Sequence, residues 1–264
     1  LTPLRADATV FPVLLCVDVG NSTITVGVFP GGEPLLGSLS TQPLRDPGEY
    51  ASWLNNFLEK QGLKGPFEAL LCSVVPSHTP VLAQALRAVL GLEPLLVGPG
   101  LARGMGFAVR EPGALGADRV AAAYGAWRLY GAPVAVALLG TAAVVDFVAS
   151  GGVFLGGAIF PGPALMGRAL AEGTAQLPLV EPSRALRPPG RDTEEALVSG
   201  IIYAVAGALE RILREVEAQE GPFQVVLAGG YAALIGPLLQ REVVLEPALV
   251  LKGMACMHEA QRDA

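Results

Sequence analysis

The sequence predicts an α/β protein made of two copies of one plan, each built around a mixed five-stranded sheet. Three observations carry this. Cys16-Val17-Asp18-Val19-Gly20-Asn21-Ser22 can be laid over Val136-Ala137-Leu138-Leu139-Gly140-Thr141-Ala142, each where one apolar strand turns tightly into the next. The same order of strand-like and helix-like segments recurs around both turns. The chain has 264 residues, 52% of them hydrophobic and 16% charged, which is apolar material enough for two cores.

Val13 to Val19 is an apolar run broken only by Asp18 and reads as a buried strand. After Gly20-Asn21-Ser22 comes Thr23 to Phe29, rich in Val, Ile and Thr, a second strand ending at the turn Pro30-Gly31-Gly32. Leu35 to Thr41 is a third. Asp46-Pro47-Gly48-Glu49 is a helix start, for a helix to about Gln61 that Gly62 stops. Ala69 to Val75 is a strand, His78 to Leu90 a helix and Pro94 to Val97 a strand. Three strands followed by helix, strand, helix, strand is the order of an RNase H-like half.

The second half repeats the plan after a helix from Ala117 to Tyr130. Val134 to Leu139, Ala142 to Val148 and Val153 to Phe160 are three successive strands. A short helix spans Ala164 to Glu172 and a long one Thr193 to Gln219. Gln224 to Leu227 is a strand, Tyr231 to Leu239 a helix, Val243 to Leu245 a last strand and Ala248 to Gln261 a closing helix. The expected fold is two stacked RNase H-like domains, residues 13–110 and 111–264.

Composition narrows the function. The net charge is −6 and no Lys/Arg cluster appears, which argues against a nucleic-acid surface. An anionic substrate has to be held locally, by backbone N–H groups, a metal ion or a few arginines. Cys16, Cys72 and Cys256 are odd in number and far apart, and read as reduced core cysteines of a cytoplasmic protein. His78 and His258 fall in no ligand pattern. The uncharged stretch Phe147 to Gly167 is laced with Gly and Pro, and Leu129 to Val145 is broken by Pro133 and Gly140-Thr141, so neither reads as a membrane span. Leu1 to Pro12 has no signal-peptide architecture and reads as a disordered leader or an over-extended start.

Five segments carry chemistry. Asp18-Val19-Gly20-Asn21-Ser22-Thr23 is a strand, a glycine turn and hydroxyl residues entering the next strand. Gly20 allows close backbone approach to a phosphate, and N–H groups with the Ser22 and Thr23 hydroxyls supply donors. Asp18 is placed to hold Mg²⁺ directly or through water. An ordinary hairpin turn has the same composition. Gly116-Ala117-Asp118-Arg119 opens an apolar helix. There Asp118 suits a proton acceptor and Arg119 an anion holder, although an acid at a helix start is also plain dipole chemistry. Gly140-Thr141-Ala142, with Asp146 further along the strand, suits a second phosphate contact. Gly156 to Gly162 is a glycine loop before a helix. Leu227-Ala228-Gly229-Gly230 suits an adenosine contact, or a plain turn.

With Ser73-Val74-Val75-Pro76 and Thr193, these segments in this order resemble the type III pantothenate kinase family of the actin-like ATPase superfamily. The resemblance covers nearly the whole chain from Val13 onward. It implies ATP-dependent phosphorylation of pantothenate to 4'-phosphopantothenate, the first step of coenzyme A biosynthesis. It implies that Asp118 is the general base, that Gly116, Ala117, Asp118, Arg119 and Thr193 contact pantothenate, and that Thr193 comes from the partner subunit of a homodimer. Asp18, Val19, Gly20, Asn21, Ser22, Thr23, Ile24, Thr25 and Thr141 are implied to contact ATP, with Mg²⁺ at Asp18. Phosphoryl transfer needs mostly positioning and charge stabilisation, with one carboxylate near the nucleophile.

The chain departs from the family pattern at three places. The aspartate two residues before Gly-Thr, where the family binds a monovalent cation (K⁺ or NH₄⁺), is Leu138. A tyrosine of the pantothenate pocket falls at Val109, and an asparagine three residues after the motif arginine falls at Ala122. These leave two alternatives: a noncatalytic regulatory or binding member of the family, and another kinase or phosphatase of the superfamily, since fold does not fix substrate. The long helix from Thr193 presents Ile201, Ile202, Val205 and Leu209 among Gly200, Ala204, Gly207 and Ala208, a face expected to pack between subunits or within the chain.

Overall fold

The computed structural model describes residues 13–65 and 67–262, so the reading of Leu1 to Pro12 lies outside the described residues. The chain divides into two compact units, Leu1–Val97 and Gly98–Ala264.

The first unit contains β1 (Val13–Val19), β2 (Thr23–Phe29), β3 (Leu35–Ser40), α1 (Pro47–Lys60), β4 (Phe67–Ser73), α2 (Thr79–Leu90) and β5 (Leu95–Leu96). Its sheet runs β3-β2-β1-β4-β5, with β1 antiparallel to β2 and parallel to β4. α1 starts on a capping box, Asp46 and Glu49 each satisfying the other's backbone N–H, and Pro47 stands in the first turn where no donor is needed. Tyr50, Leu54, Phe57 and Leu58 form its buried face against Val17, Val26 and Leu82 of the first core.

The second unit contains β6 (Gly106–Phe107), α3 (Ala117–Tyr130), β7 (Val134–Leu139), β8 (Ala142–Ala149), β9 (Val153–Pro161), α4 (Pro163–Gly173), α5 (Thr193–Glu220), β10 (Gln224–Ala228), α6 (Ala232–Ile235), β11 (Val244–Leu245) and α7 (Leu249–Arg262). Its sheet runs β11-β10-β7-β8-β9-β6. Read from β9 to β11 it repeats the first sheet strand for strand, with β6 added beyond β9. The expected five strands are therefore joined by a sixth, too short at two residues to show a period. The segment 98–110, read from sequence as part of the first half, lies in the second unit and supplies β6, which pairs in parallel with Val153 and Phe154.

α3 has no apolar stripe because it is buried nearly all round, by Val120, Ala121, Ala122, Ala123, Tyr124 and Ala126. Small residues let it touch α7. A Cβ on Gly253 would stand 1.9 Å from the Ala121 carbonyl oxygen, so that crossing admits only glycine. The expected helix from Tyr231 to Leu239 is shorter, ending as a 3₁₀ turn at Gly236–Leu238, where Pro237 cannot supply the donor an α-helix needs.

At α5 the within-chain alternative holds for the branched residues. Ile201, Ile202, Val205 and Leu209 are buried within the chain's own unit, Ile202, Val205 and Leu209 against β7, β8 and β10. They form an intrachain core, not a face between subunits. The solvent side of α5 is Gly200, Tyr203, Ala204 and Gly207. Among the described residues α5 is the one helix long and apolar enough to cross a membrane, and these buried side chains account for that apolarity.

Candidate active site

The Asp18–Thr23 segment folds as the sequence suggests. Val17, Val19 and Ile24 are fully buried, which fixes the strand faces and leaves Asp18 half-buried at the strand end beside Thr25 and Cys72. Asn21, Ser22 and Thr23 are exposed. Val19 and Ile24, named from sequence among the ATP contacts, have side chains in the core, so only their backbone is available. The Gly20 N–H closes the turn on the Thr23 carbonyl at 3.0 Å.

The matching turn in the second unit is one residue tighter. Val19 pairs with Ile24, whereas Leu139 pairs with Ala143. Its Gly140 N–H bonds the Ala142 carbonyl at 3.0 Å. Two further glycine turns press on this loop. A Cβ on Gly162 would lie 2.1 Å from the Gly140 carbonyl oxygen, and one on Gly229 (φ +91°) 2.6 Å from that of Leu139. The Gly162 N–H donates to the Thr141 carbonyl and the Tyr231 N–H to that of Leu139, both at 3.0 Å. Thus Gly140-Thr141, the Gly162 end of the Gly156 to Gly162 segment, and Gly229-Gly230, separate motifs in the sequence, converge on the end of β7.

Asp118 and Arg119 lie in the first turn of α3, after Gly116 as its N-cap. The Asp118 carboxylate accepts the Arg119 backbone N–H at 2.8 Å. Arg119 reaches across to β8. Its Nε donates to Asp146 Oδ2 at 3.0 Å and its Nη2 to Oδ1 at 2.5 Å, a bidentate fork. The Asp146 side chain is 2% exposed and that of Arg119 16%. Burial pushes the Asp118 carboxyl above the usual carboxylate range, and Arg119 pulls it only part of the way back. Burial acts likewise on Asp146, offset by the Arg119 bonds. Asp146 was legible only as a carboxylate on the strand; its pairing with Arg119 spans 27 residues and two elements and left no local signal.

Backbone irregularity accommodates this pair. The β8–β9 register shifts so that Phe147 pairs with Gly156 and Val148 with Phe154, leaving Leu155 as a bulge and Gly156 at φ +109°. Next to it Gly157 faces Asp146, where a Cβ would stand 2.3 Å from Oδ1 and 1.9 Å from the Val145 carbonyl oxygen. The family-pattern departures lie in the same unit. Val109 packs beside Gly156, Ala122 is buried in α3, and Leu138 stands in β7 between Ala228 and Val144. Thr193 is the exposed first residue of α5, with Asp192 as its N-cap.

Two mixed sheets of one repeated strand order, each opening on a glycine turn, define the class: an actin-like ATPase or sugar kinase fold. Solved structures agree. An activator of 2-hydroxyisocaproyl-CoA dehydratase from Clostridium difficile with bound ADPNP matches with TM-score 0.57 and 11% identity over 96% of this chain and 98% of its own. A ROK family glucokinase from Streptomyces griseus in complex with glucose and AMPPNP matches with TM-score 0.50 and 14% identity over 96% of this chain and 100% of its own. A family model for type III pantothenate kinase matches residues 14–215. A type III pantothenate kinase of Moorella thermoacetica is 36% identical over 94% of this chain and 99% of its own length, and one of Agathobacter rectalis is 34% identical over 94% and 98%. The chain belongs to the type III pantothenate kinase family.

Proposed function

We propose that this protein transfers the γ-phosphoryl group of ATP to the hydroxyl of pantothenate, forming 4'-phosphopantothenate for coenzyme A biosynthesis in the cytoplasm. The observation that carries the reading is the Asp118–Arg119–Asp146 arrangement within a chain of this family. Asp118 is a half-buried carboxylate raised towards the range where a base accepts a proton efficiently. Arg119, fixed by Asp146 through Nε and Nη2, offers its remaining Nη1 edge to the pantothenate carboxylate. Gly116 and Ala117 supply backbone contacts at the start of α3. Asp18 to Thr25 and Thr141 hold the nucleotide.

Asp18 fits Mg²⁺, being a half-buried carboxylate at a strand end beside exposed hydroxyls, since that ion keeps several waters and takes one or two carboxylates with phosphate oxygens. When bound, Mg²⁺ would neutralise charge on the phosphates. The residues do not fit a monovalent cation at Leu138, whose side chain has no oxygen. Leucine also removes the negative charge that such a cation would offset. Activity is therefore expected to be independent of K⁺ and NH₄⁺. Pantothenate-dependent ADP release, measured while K⁺ is titrated into a sodium and Tris background, tests this. A flat response is expected; clear saturable activation would show that another residue holds the ion.

Val109, Ala122 and Leu138 also motivated a noncatalytic reading. Val109 packs beside Gly156 and Ala122 is buried in α3, and the relatives of similar length are named as kinases, so nothing favours that alternative.

The homodimer, with Thr193 given to the partner's site, belongs to the same proposal. An apolar groove of about 390 Å³ runs between α4 and α5, lined by Leu165, Met166 and Ala169 on one side and Leu197, Gly200 and Ala204 on the other. Exposed apolar surface of this kind favours a covering partner. Light scattering at micromolar concentration should give twice the chain mass of 27.2 kDa. A monomer there would contradict it.

A further inference from the structure

The Ser73-Val74-Val75-Pro76 segment and the buried His78 have no part in the chemistry above, yet the structure connects both to the first glycine turn. His78 and Thr41 are each 0% exposed. Thr41 follows β3 and lies behind the turn. Its hydroxyl donates to the Gly20 carbonyl at 2.7 Å, and its backbone N–H donates to the Ser22 carbonyl at 3.0 Å. The Thr41 carbonyl in turn accepts from His78 Nε2 at 2.8 Å. A carbonyl can only accept, so Nε2 carries the hydrogen; in the neutral ring Nδ1 then accepts from the Ser77 hydroxyl at 3.2 Å.

The Ser-Val-Val-Pro segment brings His78 there. The Val74 N–H donates to the Val19 carbonyl at 3.1 Å, which ties the segment to the last residue of β1. The His78 N–H bonds the Val75 carbonyl at 3.0 Å, and His78 becomes the N-cap of α2. The Thr79 hydroxyl donates to Ser73 Oγ at 2.9 Å, closing the turn.

A phosphate-binding loop has to present N–H groups and keep its carbonyl oxygens turned away, because a carbonyl dipole repels phosphate. In a trans peptide the C=O and the N–H point in opposite directions. With the Gly20 carbonyl drawn back onto the Thr41 hydroxyl, the Asn21 N–H of the same peptide points the other way. We propose that Thr41 is a positioning residue for the phosphate loop, orienting the Gly20–Asn21 peptide towards ATP, and that His78 locks Thr41 in that role. This rests on the reading of Asp18 to Thr25 as the nucleotide loop. Neither residue touches the nucleotide; both act through the loop backbone.

The test compares Thr41→Val, which keeps the shape and loses the hydroxyl, with Thr41→Ser, which keeps the hydroxyl. His78→Leu and His78→Gln form a second pair, since the glutamine amide can donate where Nε2 does. The probe is ADP with Mg²⁺, titrated by calorimetry, together with KM for ATP and for pantothenate. Thr41→Val and His78→Leu should each weaken nucleotide binding about three- to tenfold, the loss expected when one positioning hydrogen bond goes. Thr41→Ser and His78→Gln should restore most of it, and KM for pantothenate should stay within about twofold throughout, the scatter of such contributions. Equal dissociation constants in wild type and Thr41→Val would overturn the inference alone. So would a loss of equal size in Thr41→Ser, or equal rises in both KM values, which a merely structural role would give. Failure of the wild type to bind the nucleotide would overturn the reading of the loop and this inference with it. If Thr41→Val does not fold, the histidine pair decides by the same criteria.

Discussion

Asp118→Asn is expected to lower turnover by about two to four powers of ten, the usual contribution of a positioned general base. The amide keeps the shape at the start of α3 and can still accept the Arg119 N–H, so folding and nucleotide affinity should hold. The pH profile carries a second expectation. The base works when ionised, and burial raises its pKa, so wild-type activity should fall as pH falls through that raised value. The acid limb should lie above the value of about 3.9 for a solvated aspartate. In Asp118→Asn that limb should vanish along with most of the rate. Steady-state kinetics over a pH series measures both, and equal turnover in the two proteins would remove Asp118 from the role.

Asp146→Ala is the second large effect. It leaves the Arg119 guanidinium buried with its Nε and Nη2 donors unpaired. Breaking a buried pair from one side costs about 3–5 kcal/mol, most of it the penalty on the charge left behind. Denaturant unfolding should show a loss of that order. A loss under about 1 kcal/mol, the range of exposed pairs, would mean that the pair is solvated in practice. The acid limb gives an independent check. The charged groups acting on the Asp118 carboxylate are Arg119 on its own helix and Asp146 on β8. Removing the Asp146 charge takes away a repulsion that raises the Asp118 pKa, so the limb of any residual activity should move to lower pH.

How much of this was legible in the sequence depended on whether its cause was local. β1, β2, α3 and β7 begin and end where their residues suggest, because apolar runs meet glycine turns or, at α3, a small-residue helix start and Gly131. The repeated strand order came from the same signal. β6 did not, because Gly106 and Phe107 are strand only through their pairing with β9. The face of α5 was legible only as apolar, because small and branched apolar residues suit a core and a subunit contact equally well; burial decides between them, and burial is not local. The site divides in the same way. The turn at Gly20 and the Asp118-Arg119 pair stand out as short motifs. Asp146 on Arg119 and His78 on Thr41 join residues 27 and 37 positions apart, and neither spacing has a period that sequence could show.

Phosphoryl transfer to pantothenate is tested most directly by its product. Purified protein incubated with ATP, Mg²⁺ and pantothenate in a K⁺-free buffer should convert pantothenate to a species heavier by one phosphoryl group, carried on its hydroxyl, with one ADP formed per product, as read by mass spectrometry and phosphorus NMR. Unchanged pantothenate under those conditions and on adding K⁺ or NH₄⁺, in protein that binds ATP, would contradict the account.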